Sequence, residues 1–183
     1  MTAAALKIPP SAPPAAAGTT AAAAASHCPR QLSAANINPQ TRLATDYLNH
    51  FNEAVMLLEM IPAMPECADD FIAWQPMSYC EHFRASSFKE RDLAIAAYAT
   101  VDPQTRARFD ELVTMMTSIL VMVRDAMQDV VHDDTRARLA DQATQWLKPL
   151  VAQTGGVING RPGGCDGDTD VEPQADVDYI MTH

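Results

Sequence analysis

The chain has 183 residues and a net charge of −10, from 13 basic and 23 acidic side chains. Two bases and no acid precede residue 40, 17 acids face 10 bases across 40–150, and six acids face one base beyond that. A negative field spread in this way repels phosphate backbones and anionic lipid heads, so neither nucleic acid nor a membrane surface is expected as a partner.

Residues 1–38 read as a disordered arm. Pro9, Pro10, Pro13 and Pro14 and the alanine run at 21–25 bury too little to offset the entropy of ordering them. The stretch also lacks the continuous Leu/Val/Ile segment of a signal peptide. Asn38 followed by Pro39 fits an N-cap with proline at the first helical position, and Leu43, Tyr47, Leu48, Phe51, Val55 and Leu58 recur at helical spacing. The pattern predicts a helix over 39–61, apolar on several faces in its second half and therefore central.

Pro62 and Pro65 end that helix and open a connector helix at 65–74, with Phe71, Ile72 and Trp74 as its apolar face and Pro76 as its stop. Ser78 with Glu81, and Ser87 with Glu90, each fit the S-x-x-E capping box, so 78–100 is expected as two helices. Asp102-Pro103 repeats the cap-plus-proline start, and Leu112, Met116, Ile119, Leu120, Val123 and Met127 form a broad stripe on a long helix reaching Val131. Met115, Met122, Val130 and Val131 extend its apolar surface to a second face. That suits a helix packed on two sides or a dimer interface, and makes Met115, Met122 and Val130 the candidate interaction residues.

Asp133 or Asp134 can cap a last helix that buries Leu139, Ala143, Trp146, Leu147 and Leu150, with Pro149 disturbing its end. The glycines from Gly155 onward and the acids after them predict a flexible tail over 153–183. No segment alternates in the manner of a strand. The expected fold is thus all-α, a compact bundle of five or six helices over 39–152 with disordered N- and C-terminal tails. Its longest strongly apolar run, Leu112 to Val123, is 12 residues, too short to span a bilayer as a helix.

Cys28, Cys67, Cys80 and Cys165 are far apart and form no C-x-x-C pair, so free thiols in a reducing cytoplasm are expected. Three helix starts carry similar Thr-Arg pairs, at Thr41, Thr105 and Thr135, but their unequal spacing does not indicate a solenoid.

His50 and Glu53, at i and i+3, share a helix face and are the candidates for phosphotransfer or metal binding. No Glu-x-x-His unit of a di-iron bundle accompanies them, and Phe51-Asn52-Glu53-Ala54 offers no cation to steady a phosphoryl group. Cys80 and His82, two residues apart, point to different faces of a helix. Asp166, Asp168 and Asp170 mimic the start of an EF-hand loop, but Val171 and Val177 stand where glycine and glutamate are required. Neither a P-loop nor a dinucleotide fingerprint is present. No catalytic residue, resident metal or cofactor is expected. The reading favours a noncatalytic interaction or regulatory protein that meets a protein partner or a second copy of itself, with a phosphotransfer or metal-binding bundle centred on His50 as the alternative.

Overall fold

The computed structural model describes residues 28–130 and 132–161. Its secondary structure follows the apolar periodicity closely. The helices are α1 (Pro29–Ala34), α2 (Leu48–Met60), α3 (Cys67–Ala73), α4 (Tyr79–Ala85), α5 (Arg91–Tyr98), α6 (Pro103–Asp129) and α7 (Asp133–Ile158), with a 3-10 turn at Thr45–Tyr47 leading into α2. Six of them correspond to the six helical segments read from the sequence. The seventh, α1, lies inside the span assigned to the disordered arm. Leu32 and Ile37 are fully buried, so the packed core begins at least seven residues before residue 39.

The Asn38-Pro39 start is a second correction. Asn38 does not cap a helix; its Oδ1 accepts the backbone N–H groups of Gln40 and Thr41 at 2.8 and 3.1 Å, closing a turn. Ile37 and Ala44 pair as an isolated antiparallel bridge across that turn, and Asn36 and Arg42 adopt positive φ to make it. Asparagine and proline signal a turn as readily as a helix start, and here the bridge decides between them.

The end of the last helix differs as well. α7 continues through Pro149 and both Gly155 and Gly156 as far as Ile158. Thr154 and Ile158 are completely buried there, and the Thr41 hydroxyl donates to the Ile158 carbonyl. Tertiary burial therefore outweighs the poor helix propensity of proline and glycine. At its start the N-cap residue is His132, without a side-chain cap, and Asp133 and Asp134 occupy the first turn.

Of the three remaining capping predictions, two hold and one does not. Asp102 Oδ2 accepts the N–H groups of Gln104 and Thr105, both at 3.0 Å, and Ser78 and Glu81 form a complete capping box. Ser87 and Glu90 form none, because α5 starts only at Arg91.

α6 and α7 pack along each other as an antiparallel hairpin, and α7 also packs on α2. α3 bridges α2 and α6, while α4 packs on α5 and the 3-10 turn. Phe51, Leu58, Phe71, Phe83, Phe109, Met116, Leu120, Leu147 and Ile158 are fully buried between these layers. None of the described helices is long and apolar enough to cross a membrane.

Candidate functional site

His50 sits on the inner side of α2, where the aromatic residues of the short helices converge. Its ring stacks on Trp74 at 4.6 Å and lies 6.0 Å from the His82 ring. Only 3% of the residue is exposed. Nε2 accepts the backbone N–H of Met77 at 3.0 Å, and the His50 carbonyl accepts the Trp74 indole N–H at 3.3 Å. An Nε2 acceptor requires the neutral ring with its proton on Nδ1. Burial, and after it the neighbouring His82, accordingly lower the His50 pKa from the ordinary 6.5 to about 4.

Glu53 is exposed one turn along α2. It shares with His50 a shallow cleft of about 210 Å³ that is also lined by Asn49, Met77, His82 and Ser86. The structure therefore brings together His50 and Glu53, as their spacing suggested, and adds His82 from α4, which no sequence spacing connects to them. Burial lowers the pKa of His82 too, against the opposing pull of Asp46 and Glu53. Chemically the site is occupied with holding the fold. The lone pair that a phosphoryl group or metal would take on Nε2 is engaged by Met77. Among the described residues no three His, Cys, Asp or Glu side chains converge on a metal-sized site. Cys80 is half-buried on the same helix as His82.

The second candidate set lies on the other side of the molecule. α6 buries Phe109, Leu112, Met116, Leu120, Val123 and Met127, which places Met115 and Met122, two turns apart, about 100° away from that stripe. They are 37% and 62% exposed. Val130 does not join them. It lies beyond the end of α6 in extended conformation, half-buried, its carbonyl accepting from Arg136 Nε of α7 at 2.9 Å. Val131 lies outside the described residues.

Trp146 was expected in the core and is instead 51% exposed. The inward stripe of α7 is Ala140, Ala143, Leu147, Thr154 and Ile158, and Trp146 stands one flank away from it. The opposite flank of α7 faces α2, through the Lys148–Glu59 ion pair and the approach of Gly155 to Leu48. In α6 the flank opposite Met115 and Met122 faces the short helices, through Arg124 to Gln75 and Asp110 to Tyr98. Met115, Met122 and Trp146 are therefore on the two flanks that border the outer groove of the hairpin. Thr105 and Arg108 line a cleft with Val157 at one end of that groove, a register that sets Trp146 level with the stretch between the two methionines. Sequence reasoning missed Trp146 because its i, i+1 neighbour Leu147 takes the buried position.

The middle of this outer face is uncharged in a chain that is 20% charged. No ionisable residue occurs from Leu112 to Val123, none from Gln142 to Leu147, and none from Pro149 to Gly160. An exposed Trp and two exposed Met within a charge-free zone have the composition of an interface core rather than of ordinary surface.

The class of protein defined by these features is an all-α bundle with an apolar outer face on its longest hairpin. No family model, curated protein or solved structure matches the chain.

Proposed function

We propose that the protein is a noncatalytic interaction or regulatory protein acting through protein–protein contacts, and that the outer face of α6 and α7 is where contact is made. The observation that carries this reading is the exposure of Met115, Met122 and Trp146 together on an uncharged surface. Trp and Met are enriched in interface cores, where a flexible thioether moulds to its partner and an indole supplies a large contact area. The net charge weighs against nucleic acid or anionic membrane as that partner. A cytoplasmic setting agrees with the exposed thiol of Cys28, which a reducing compartment preserves. The reading centred on His50 and Glu53 has less support, since Nε2 of His50 is already bonded.

Methionine footprinting tests the proposal. In cell extract, Met115 and Met122 should oxidise more slowly with peroxide than in the dilute purified chain, while Met56, 53% exposed on α2, reacts equally in both. Equal oxidation of all three in both samples ends the reading.

A further inference from the structure

We infer that residues 75–78, between α3 and α4, form a proton-operated latch: a proton taken up by His50 frees the Met77 N–H and releases this segment from α2 while the rest of the bundle stays folded. The inference concerns the inner side of α2 and is independent of the outer face of α6 and α7. The segment belongs to neither helix nor strand, with Gln75, Pro76 and Ser78 exposed and Met77 half-buried, so little apolar surface resists its opening. Two hydrogen bonds hold it to the layer beneath. Met77 N–H donates to His50 Nε2 at 3.0 Å, and the Met77 carbonyl accepts the Tyr47 hydroxyl at 2.9 Å. Pro76 has no N–H to add a third. The bond from Arg124 to Gln75, 3.4 Å long and exposed, runs to α6 instead.

Both ends of the segment are anchored independently of these bonds. The Trp74 N–H donates to the carbonyls of Asp70 and Phe71 in α3, and Ser78 is tied to α4 by its capping box with Glu81. The residues between can therefore move without unravelling either helix.

Protonation acts on one of the two holding bonds. An imidazolium carries a proton on each nitrogen, so it offers Met77 no lone pair and sets one donor against another. Tyr47 remains a donor throughout, because burial raises its pKa above the ordinary 10. The stack on Trp74 does not oppose the change, since an indole face attracts a cation. The proton thus breaks the Met77 bond and leaves the Trp74 anchor in place.

The titratable groups facing the ring are His82 of α4 at 6.0 Å, Tyr47 of the 3-10 turn at 6.5 Å, and Glu53 in the shared cleft. Asp46 and Glu53 draw a proton to His82 against the effect of its burial, and a cation there repels one on His50. Release of Met77, which lines the cleft with both rings, admits water to them and relieves that repulsion. Of the remaining charges, Glu81 is bonded to Ser78, Asp69 and Asp70 of α3 are exposed, and α7 meets α2 through Lys148 and Glu59, further along the helix.

The test is amide hydrogen exchange of the full chain between pH 7 and 5.5, read at Met77 and at Leu120 in the core of α6 and corrected for the intrinsic effect of pH. With His50 near 4 when the segment is closed and at its ordinary 6.5 when it is open, the opening constant at Met77 should rise about eightfold across that range. Low, non-denaturing urea should leave exchange at Met77 unchanged and accelerate it at Leu120, because a local opening exposes little surface. H50Q places an acceptor that does not titrate near Met77 and should remove the pH dependence. Y47F should raise the opening constant at every pH and keep the eightfold rise. A constant opening of Met77 over the pH range overturns the latch, and so does a urea dependence equal to that of Leu120, which marks global unfolding. A rise retained in H50Q assigns the proton to another group and overturns it too. The two wild-type measurements decide the matter by themselves if H50Q does not fold.

Discussion

The ring of His50 lies nearly parallel to the Trp74 indole, 4.6 Å away with 23° between their planes, and the same imidazole accepts the Met77 N–H through Nε2. One residue thus ties α2 to the connector after α3 by stacking and by a hydrogen bond. Trp74 returns a bond to the His50 carbonyl, and Tyr47 donates its hydroxyl to the Met77 carbonyl at 2.9 Å, so the connector is held from two sides.

That arrangement makes stability fall in acid. His50 titrates near 4 in the folded chain and near its ordinary 6.5 when unfolded, so between those values the unfolded state binds the extra proton. The His50 contribution is therefore complete above about pH 6.5 and declines as the pH falls toward 4, by on the order of 3 kcal/mol. The lowered pKa of His82 acts in the same direction. Urea unfolding at pH 7, 6, 5 and 4.5 measures the slope, and H50N should flatten it. A wild-type slope matched by H50N would assign the acid sensitivity to other groups.

The two S-x-x-E sequences should respond differently to the same substitution. Ser78→Ala removes the acceptor for Glu81 N–H and the partner of the Glu81 carboxylate, and should cost about 1 kcal/mol in chemical denaturation. Ser87→Ala, where no box forms, should change stability by less than about 0.5 kcal/mol.

The glycines at the end of α7 should prove replaceable, except for the last. A Cβ on Gly155 would sit 3.7 Å from Leu48 Cδ1, an ordinary contact, and one on Gly156 would meet nothing within 4 Å. Both residues are helical, so G155A and G156A should each raise stability by about 0.5–1 kcal/mol. Gly160 has φ of +71°, where an alanine is strained, and G160A should cost about 1 kcal/mol. Thermal unfolding of the three variants distinguishes these signs.

Truncation at residue 39 should damage the domain. Leu32 is 1% exposed, and L32A should cost about 2–5 kcal/mol. Deletion of residues 1–27 should leave the unfolding midpoint unchanged, whereas deletion of residues 1–38 should lower it. Equal midpoints for the two deletions would remove α1 from the cooperative core.

Much of the fold was legible in the chain. The stripe from Phe109 to Met127, the Asp102-Pro103 start and the Ser78–Glu81 box are local features: spacing, a fixed proline φ and a short-range cap, each contained within a few residues. They determined an all-α bundle and the placing of its six larger helical segments.

What the tertiary structure decided was burial. Leu32 and Ile37 are too few to announce a helix or a core segment by periodicity, yet packing makes them part of the fold. Pro149, Gly155 and Gly156 argue locally against helix, yet α7 passes through all three because Thr154 is buried beyond the proline and Ile158 beyond the glycines. Trp146 leaves its expected place in the core, and His50 takes a buried one, for the same reason. A residue's own chemistry sets the cost of burying it, but its angular position relative to every neighbouring helix sets whether it is buried, and that angle exists only in the assembled bundle.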